Sequence, residues 1–189
     1  MTARVRIVAL VCLALAAPGT ARASEDLWAL LKAGGQVILI RHTITTPGVG
    51  DPPGMRLDDC STQRNLSDDG RGDARRIGEA FRARGIPVAR VLSSPWCRCL
   101  ETAWLAFGVD AEPWTPLGNL FGRPERRAEQ VAAMRARVGE PLTGGNLVLV
   151  SHGSTISALT GVSPGTGELV IVTPRGAGRF TVAGRLTAH

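Results

Sequence analysis

Apolar residues in this 189-residue chain fall into short unbroken runs and longer periodic stretches, and the two kinds separate strands from helices. The runs QVILI (36–40), VARVLSS (88–94) and NLVLV (146–150) have the length and β-branched content of buried strands. Between them apolar residues recur at helical spacing: Ala74, Ile77 and Phe81 after Ser67; Leu100, Trp104 and Phe107 after Ser94; Val131, Met134 and Val138 after Pro124. Ser67 and Ser94 read as helix caps, Pro95 as a first helical residue and Gly85 as a stop. An earlier helix is capped at Ser24, runs through Lys32 and ends at Gly34-Gly35. A short one follows Ser151-His152-Gly153 as far as Gly161. ELVIVTP (168–174) and GRFTVAG (178–184) read as a closing hairpin, and Thr43 to Asn65, rich in Pro, Gly and Asp, as a long loop.

Buried strands alternating with helices predict a three-layer α/β/α fold, a mostly parallel sheet with helices on both faces. The first 23 residues stand outside that pattern. Arg4 and Arg6 precede an apolar run from Ile7 to Ala17, followed by Pro18, Gly19 and the sequence ARA at 21–23, which is the layout of a cleaved signal peptide. The run is too short for a bilayer span, which takes about 20 residues. The organisation expected is a leader over 1–23 and one domain over 24–189, periplasmic or secreted, with no stable membrane insertion after cleavage.

Losing Arg4, Arg6 and Arg22 lowers the net charge from +6 to +3. The remaining arginines alternate with acids on helix faces instead of forming a block, so nucleic acid is not an expected partner. Cys12 leaves with the leader. Cys60, Cys97 and Cys99 remain, enough for one disulfide and one thiol in an oxidising compartment. Cys97-x-Cys99 lacks the spacer of a zinc site.

Ligands in sheets of this kind bind beyond the carboxyl ends of the strands. Arg41 and His42 directly follow the first strand, Arg98 falls in the first turn after the second, and His152 directly follows the third. A lone histidine at a strand end is ordinarily structural. Of the three histidines outside the leader, however, His189 is terminal and the other two both end buried strands, one beside an arginine. Helix N-termini after Ser94 and near Gly153 would add N–H donors at the same edge, which makes an anion the natural ligand.

The stretches LIRHT, NLSDDGRGDARRIG, SSPWCRCLETA and LVSHG resemble the signatures of the histidine phosphatase superfamily, the phosphoglycerate mutase-like fold, over about residues 35–165. RHT replaces the usual RHG, and Gly153 stands where the acid-phosphatase branch carries Asp, so the likeness is to the mutase and small-phosphatase branch. The resemblance implies His42 as the nucleophile that takes the phosphoryl group, with Arg41, Arg98 and His152 holding its oxygens and no metal or other cofactor. Arg64 and Asn119 are expected on the substrate. Family members often carry a glutamate as general acid where PLGNLFG places Asn119, and an amide cannot donate a proton to a leaving group. Asp51, Asp58, Asp59, Glu101 and Glu125 are the substitutes. Cysteines of the resembling proteins imply a Cys60–Cys97 disulfide with Cys99 free, Cys99 being the other possible partner of Cys60. The expected function is an exported phosphohydrolase working through phosphohistidine on a phosphorylated small molecule, glycolipid or phosphoprotein. A mutase-like phosphotransferase and an inactive anion-binding protein of the same fold are the alternatives.

Overall fold

The computed structural model describes residues 18–188. The chain runs α1 (Pro18–Ala33), β1 (Val37–Arg41), α2 (Asp68–Ala83), β2 (Val88–Ser93), α3 (Cys97–Phe107), β3 (Glu112–Pro113), α4 (Arg127–Gly139), β4 (Asn146–Ser151), α5 (Gly153–Thr160), β5 (Leu169–Pro174) and β6 (Phe180–Leu186). The strands form one sheet in the order β3-β2-β4-β1-β5-β6. Pairing is parallel from β3 through β2 and β4 to β1, and antiparallel from β1 through β5 to β6. The closing hairpin therefore supplies the antiparallel edge of an otherwise parallel sheet.

Successive strand residues point to opposite faces, and both faces are covered. Ile38, Ile40, Val148 and Val150 pack under α1, α2 and α3, against Trp28, Leu31, Ile77, Phe81, Cys99 and Ala103. Val37, Leu39, Leu147 and Leu149 pack under α4 and α5, against Met134, Val138, Ile156 and Leu159. Full burial of one such aliphatic side chain contributes about 1.5–3 kcal/mol, so the two central strands, β1 and β4, are fixed by their own sequence. The α/β/α architecture expected from the alternation is the one observed.

Two local expectations are corrected. Ser24 does not cap the first helix: α1 is already helical at Pro18, since Ala21, Arg22 and Ala23 carry no helix-breaking signal. Its buried anchors, Trp28 and Leu31, nonetheless lie after Ala23. Of the leader expected over 1–23, residues 1–17 lie outside the described residues. The third helix starts at Cys97 with Trp96 at the cap position, not at Pro95 after a Ser94 cap. It buries Cys99, Thr102, Ala103 and Ala106, while Trp104 is exposed. Close approach to α2 explains the rotated face: a Cβ on Gly78 would run into the Ala106 carbonyl, so small residues fill the seam and larger ones flank it.

Candidate active site

Register brings the site together. Arg41 of β1 lies opposite Ser151 of β4, so His42 and His152 leave neighbouring strands at the same level, and the His42 N–H donates to the Ser151 carbonyl at 2.9 Å. The Ser94 N–H donates to the Val150 carbonyl at 2.8 Å, which places the end of β2 beside them. Arg41, His42, Arg64, Arg98, Asn119 and His152 all line one cavity of about 450 Å³. The four residues expected to handle the phosphoryl group and the two expected on the substrate are thus brought to one place, and the cavity lies at the carboxyl ends of the parallel strands.

Each imidazole is oriented by a fixed partner. The Nδ1 of His42 lies 2.9 Å from the carbonyl of Thr43, which only a donor can satisfy. Nδ1 therefore carries the proton, and Nε2 holds a lone pair. Thr43, the departure from RHG, is fully buried, with its hydroxyl 3.3 Å from that of Thr102. His152 Nε2 lies 2.8 Å from the Ser94 hydroxyl and 3.5 Å from the Cys99 sulfur, while its Nδ1 is buried without a partner. With the Ser94 hydroxyl donating to Nε2, Nδ1 becomes an N–H donor. The Ser94 hydroxyl also accepts from the Trp96 N–H at 3.4 Å. The N–H of Cys97 donates instead to Gln63 Oε1 of the long loop, at 3.0 Å.

Burial holds His42 down to about 3, helped by the charges of Arg98, Arg41 and Arg64 and opposed by the Thr43 carbonyl. His152 is likewise driven well below the usual imidazole range by burial, then by His42 and the nearby arginines. Both rings are neutral at ordinary pH, as a nucleophile and a tautomer-fixed donor require. The Arg41 guanidinium, lowered by burial and by Arg64, donates from Nη1 to the Pro164 carbonyl at 2.8 Å. It crosses the start of α5, where a Cβ on Gly153 would lie 3.3 Å from its Cδ, Nε and Cζ, so the glycine after His152 leaves the arginine its path. Arg41 Nε, Arg64 Nε and Arg98 Nε, like His152 Nδ1, are buried with no hydrogen-bond partner.

The candidate acids lie elsewhere. Asp51 sits behind Arg98, bound to its guanidinium at 2.5 and 3.1 Å. Asp58 and Asp59 pair with Arg56, Glu101 pairs with Arg71 at 2.6 Å, and Glu125 is in an exposed turn. No carboxylate is among the residues lining the cavity. Asn119 does line it, with Oδ1 accepting from the Phe121 N–H at 3.1 Å and the Ser154 hydroxyl at 2.9 Å, which leaves its Nδ2 hydrogens as the uncommitted group. Cys60 and Cys97 form a disulfide across 37 residues, and Cys99 is a buried thiol pushed up to about 12 by burial. Sequence reasoning missed two residues. Ser94 was legible only as a cap, and Gly153 only as part of a motif.

An α/β sheet that aims two neutral histidines and three arginines into one cavity beyond its strand ends defines a phosphoryl- or oxyanion-handling protein. Residues 37–120 match the family model of the histidine phosphatase superfamily, branch 1. Over those residues the chain is similar to that superfamily. Solved structures sharing the fold include a protein histidine phosphatase, SixA, complexed with tungstate (18% identity, TM-score 0.56, covering 81% of this chain and 97% of that one). The open reading frame Rv3214 product of Mycobacterium tuberculosis aligns at 19% identity and TM-score 0.62, over 82% of this chain and 99% of the other. The mycobacterial glucosyl-3-phosphoglycerate phosphatase Rv2419c aligns at 19% identity and TM-score 0.57, over 79% and 97%. A comparison of the sequence with curated proteins finds no match.

Proposed function

We propose that the protein is an exported phosphohydrolase that passes a phosphoryl group to His42 Nε2 and then to water. The observation that carries this reading is the convergence of Arg41, Arg64, Arg98 and His152 on one cavity, each with a buried side-chain nitrogen that has no hydrogen-bond partner, beside an imidazole whose free nitrogen holds a lone pair. A buried donor without a partner costs about 1–3 kcal/mol, so the arrangement suits an anion with several oxygens. In the first step Nε2 attacks phosphorus, the bond to the leaving group breaks, and the departing atom takes the electron pair. The guanidinium groups and His152 hold the equatorial oxygens, where charge is spread in the transition state. Water then attacks phosphorus of the phosphohistidine, loses a proton to solvent, and His42 leaves with its lone pair restored. Three arginines and no acid on the wall favour phosphate and disfavour a divalent cation, which supports a reaction without metal.

Substrate preference follows from the absence of an acid on the wall. Where no proton can be supplied, rate follows leaving-group quality, and general acid catalysis is commonly worth about 10²- to 10⁴-fold. Phosphoramidates such as phosphohistidine, which take their own proton on nitrogen, and acyl or aryl phosphates are favoured over alkyl phosphates. The substrates are then phosphoproteins or small molecules with activated phosphoryl groups. A mutase, which must protonate an alkoxide, fits less well. An anion-binding protein without turnover is the one rival that the missing carboxylate favours. Export is supported by the basic, apolar and small-residue order of residues 1–23 and by the Cys60–Cys97 disulfide.

Phosphate release by the purified protein from acyl, aryl and alkyl phosphates, with and without EDTA, tests the reading. Turnover of the first two, exceeding that of alkyl esters by at least about 10²-fold and unaffected by EDTA, is expected. Binding of phosphate with no turnover of any of them would leave the anion-binding reading standing.

A further inference from the structure

Arg98 is the most deeply buried of the cavity's cations, with a side chain only 1% exposed, and its guanidinium is bound by a residue 47 positions away. A guanidinium offers oxyanions two parallel N–H pairs, one at its tip (Nη1 with Nη2) and one along its edge (Nε with Nη2). Asp51 fills the tip: Oδ1 accepts from Nη1 at 2.5 Å and Oδ2 from Nη2 at 3.1 Å. The other hydrogen of Nη1 goes to the Arg64 carbonyl at 3.3 Å. What remains is the edge, and its Nε is one of the buried atoms without a partner. Asp51 is itself fully engaged, since Oδ1 also accepts from the Arg64 N–H at 3.2 Å and Oδ2 from Trp96 Nε1 at 3.1 Å.

Building on the phosphatase reading, we propose that Asp51 is a positioning residue. It occupies the tip of Arg98, so the guanidinium presents its Nε/Nη2 edge to the phosphoryl group, and it sets the charge of the pocket. Asp51 cancels one of the three positive charges of Arg41, Arg64 and Arg98, leaving two to match a phosphoryl dianion. Burial alone would raise its carboxyl, yet the hydrogen bonds and charge of Arg98, with the Arg64 and Trp96 donors, hold it below the ordinary carboxylate value. It is a fixed anion behind the arginine, with no free oxygen for a leaving group.

A residue that acts only through another has no effect once the other is gone, so a double-mutant cycle is the test. The rate of phosphohistidine formation at saturating aryl phosphate is measured by rapid quench in the purified protein, Asp51→Asn, Arg98→Ala and the double variant. Asp51→Asn is expected to slow the step on the order of 10²- to 10³-fold, the usual effect of losing one transition-state donor. The double variant should be no slower than Arg98→Ala alone. If the two losses multiply, Asp51 acts on the substrate itself and the proposal is overturned. Should Asp51→Asn lack a cooperative thermal transition, Trp96→Phe replaces it in the cycle. It removes one donor to Asp51 and keeps every charge, with up to about a tenfold loss expected, again absent when Arg98 is already Ala. A parent protein that turns over aryl phosphate without labelling His42 would overturn the underlying phosphatase mechanism, an outcome separate from multiplying losses in a protein that does label.

Discussion

Arg41, His42 and His152 stand at the ends of two hydrogen-bonded strands, whereas Arg64 reaches the same cavity, and Asp51 the back of Arg98, from the loop between β1 and α2. The strand ends are held by core burial on both faces of the sheet. Their positions follow from register and survive any change that leaves the core intact. The loop has no comparable core of its own. It is fastened by the Asp51–Arg98 pair, by Gln63 accepting from the Cys97 N–H and by the Cys60–Cys97 disulfide. Strand ends therefore determine which reaction the cavity can perform, while the loop determines how well one arginine is aimed.

Changes at the strand ends should be severe in activity and mild in stability. His42→Ala is expected to lower turnover on the order of 10⁴- to 10⁶-fold, the range seen when a covalent nucleophile is removed, with inorganic phosphate still bound. A drop below tenfold, measured with the same aryl phosphate, would move the nucleophile elsewhere. Changes to the loop fastening should show the converse. Replacing Cys60 and Cys97 by Ser opens a 37-residue loop and should cost about 3–4 kcal/mol in the chain-entropy model, read by denaturant unfolding. Equal stability with and without the bond would show that the other loop contacts suffice.

Protonation separates the two regions more gently. The folded pKa of His42 lies at about 3 against 6.5 for the free side chain, and His152 is lowered too. Below pH 6.5 the unfolded chain binds protons that the folded chain does not, so stability falls as pH drops. Above it this contribution is constant. Between about pH 6.5 and 5, where carboxylates stay ionised, each ring should account for about 1–2 kcal/mol of the loss. His42→Asn should flatten the curve in this window, and an unchanged slope would mean that the ring is already charged in the folded protein. The smallest change expected is Gly153→Ala. Its Cβ would press on Arg41 at 3.3 Å, and a displaced arginine should reduce kcat/KM roughly tenfold with the thermal midpoint nearly unmoved. An unaltered kcat/KM would show that Arg41 has room to yield.

The contrast between strand ends and loop also marks how far the sequence could be read. The continuous apolar strands place Arg41, His42 and His152 at one sheet edge from sequence alone, because burial and period fix a central strand. Asp51 was visible only as one of several loop carboxylates, since nothing local in DPPG reports a partner 47 residues away. The error at α3 has a similar origin. The spacing of Leu100, Trp104 and Phe107 is helical, but the helix turns its small residues to the core because α2 approaches at Gly78. Ser94 carries the signal of a cap, and its hydroxyl, which accepts from the Trp96 N–H, is also used on His152 by the tertiary structure.

The central claim is that a phosphoryl group resides on His42. Protein mixed with an aryl phosphate, quenched within milliseconds in base and digested, should yield one phosphorylated peptide, with the label on the Nε2 of His42 and lost in acid. The label should be absent from His42→Ala and should form and decay at rates that account for turnover. Turnover at the full rate with no label on His42, or with the label on another residue, would contradict the account.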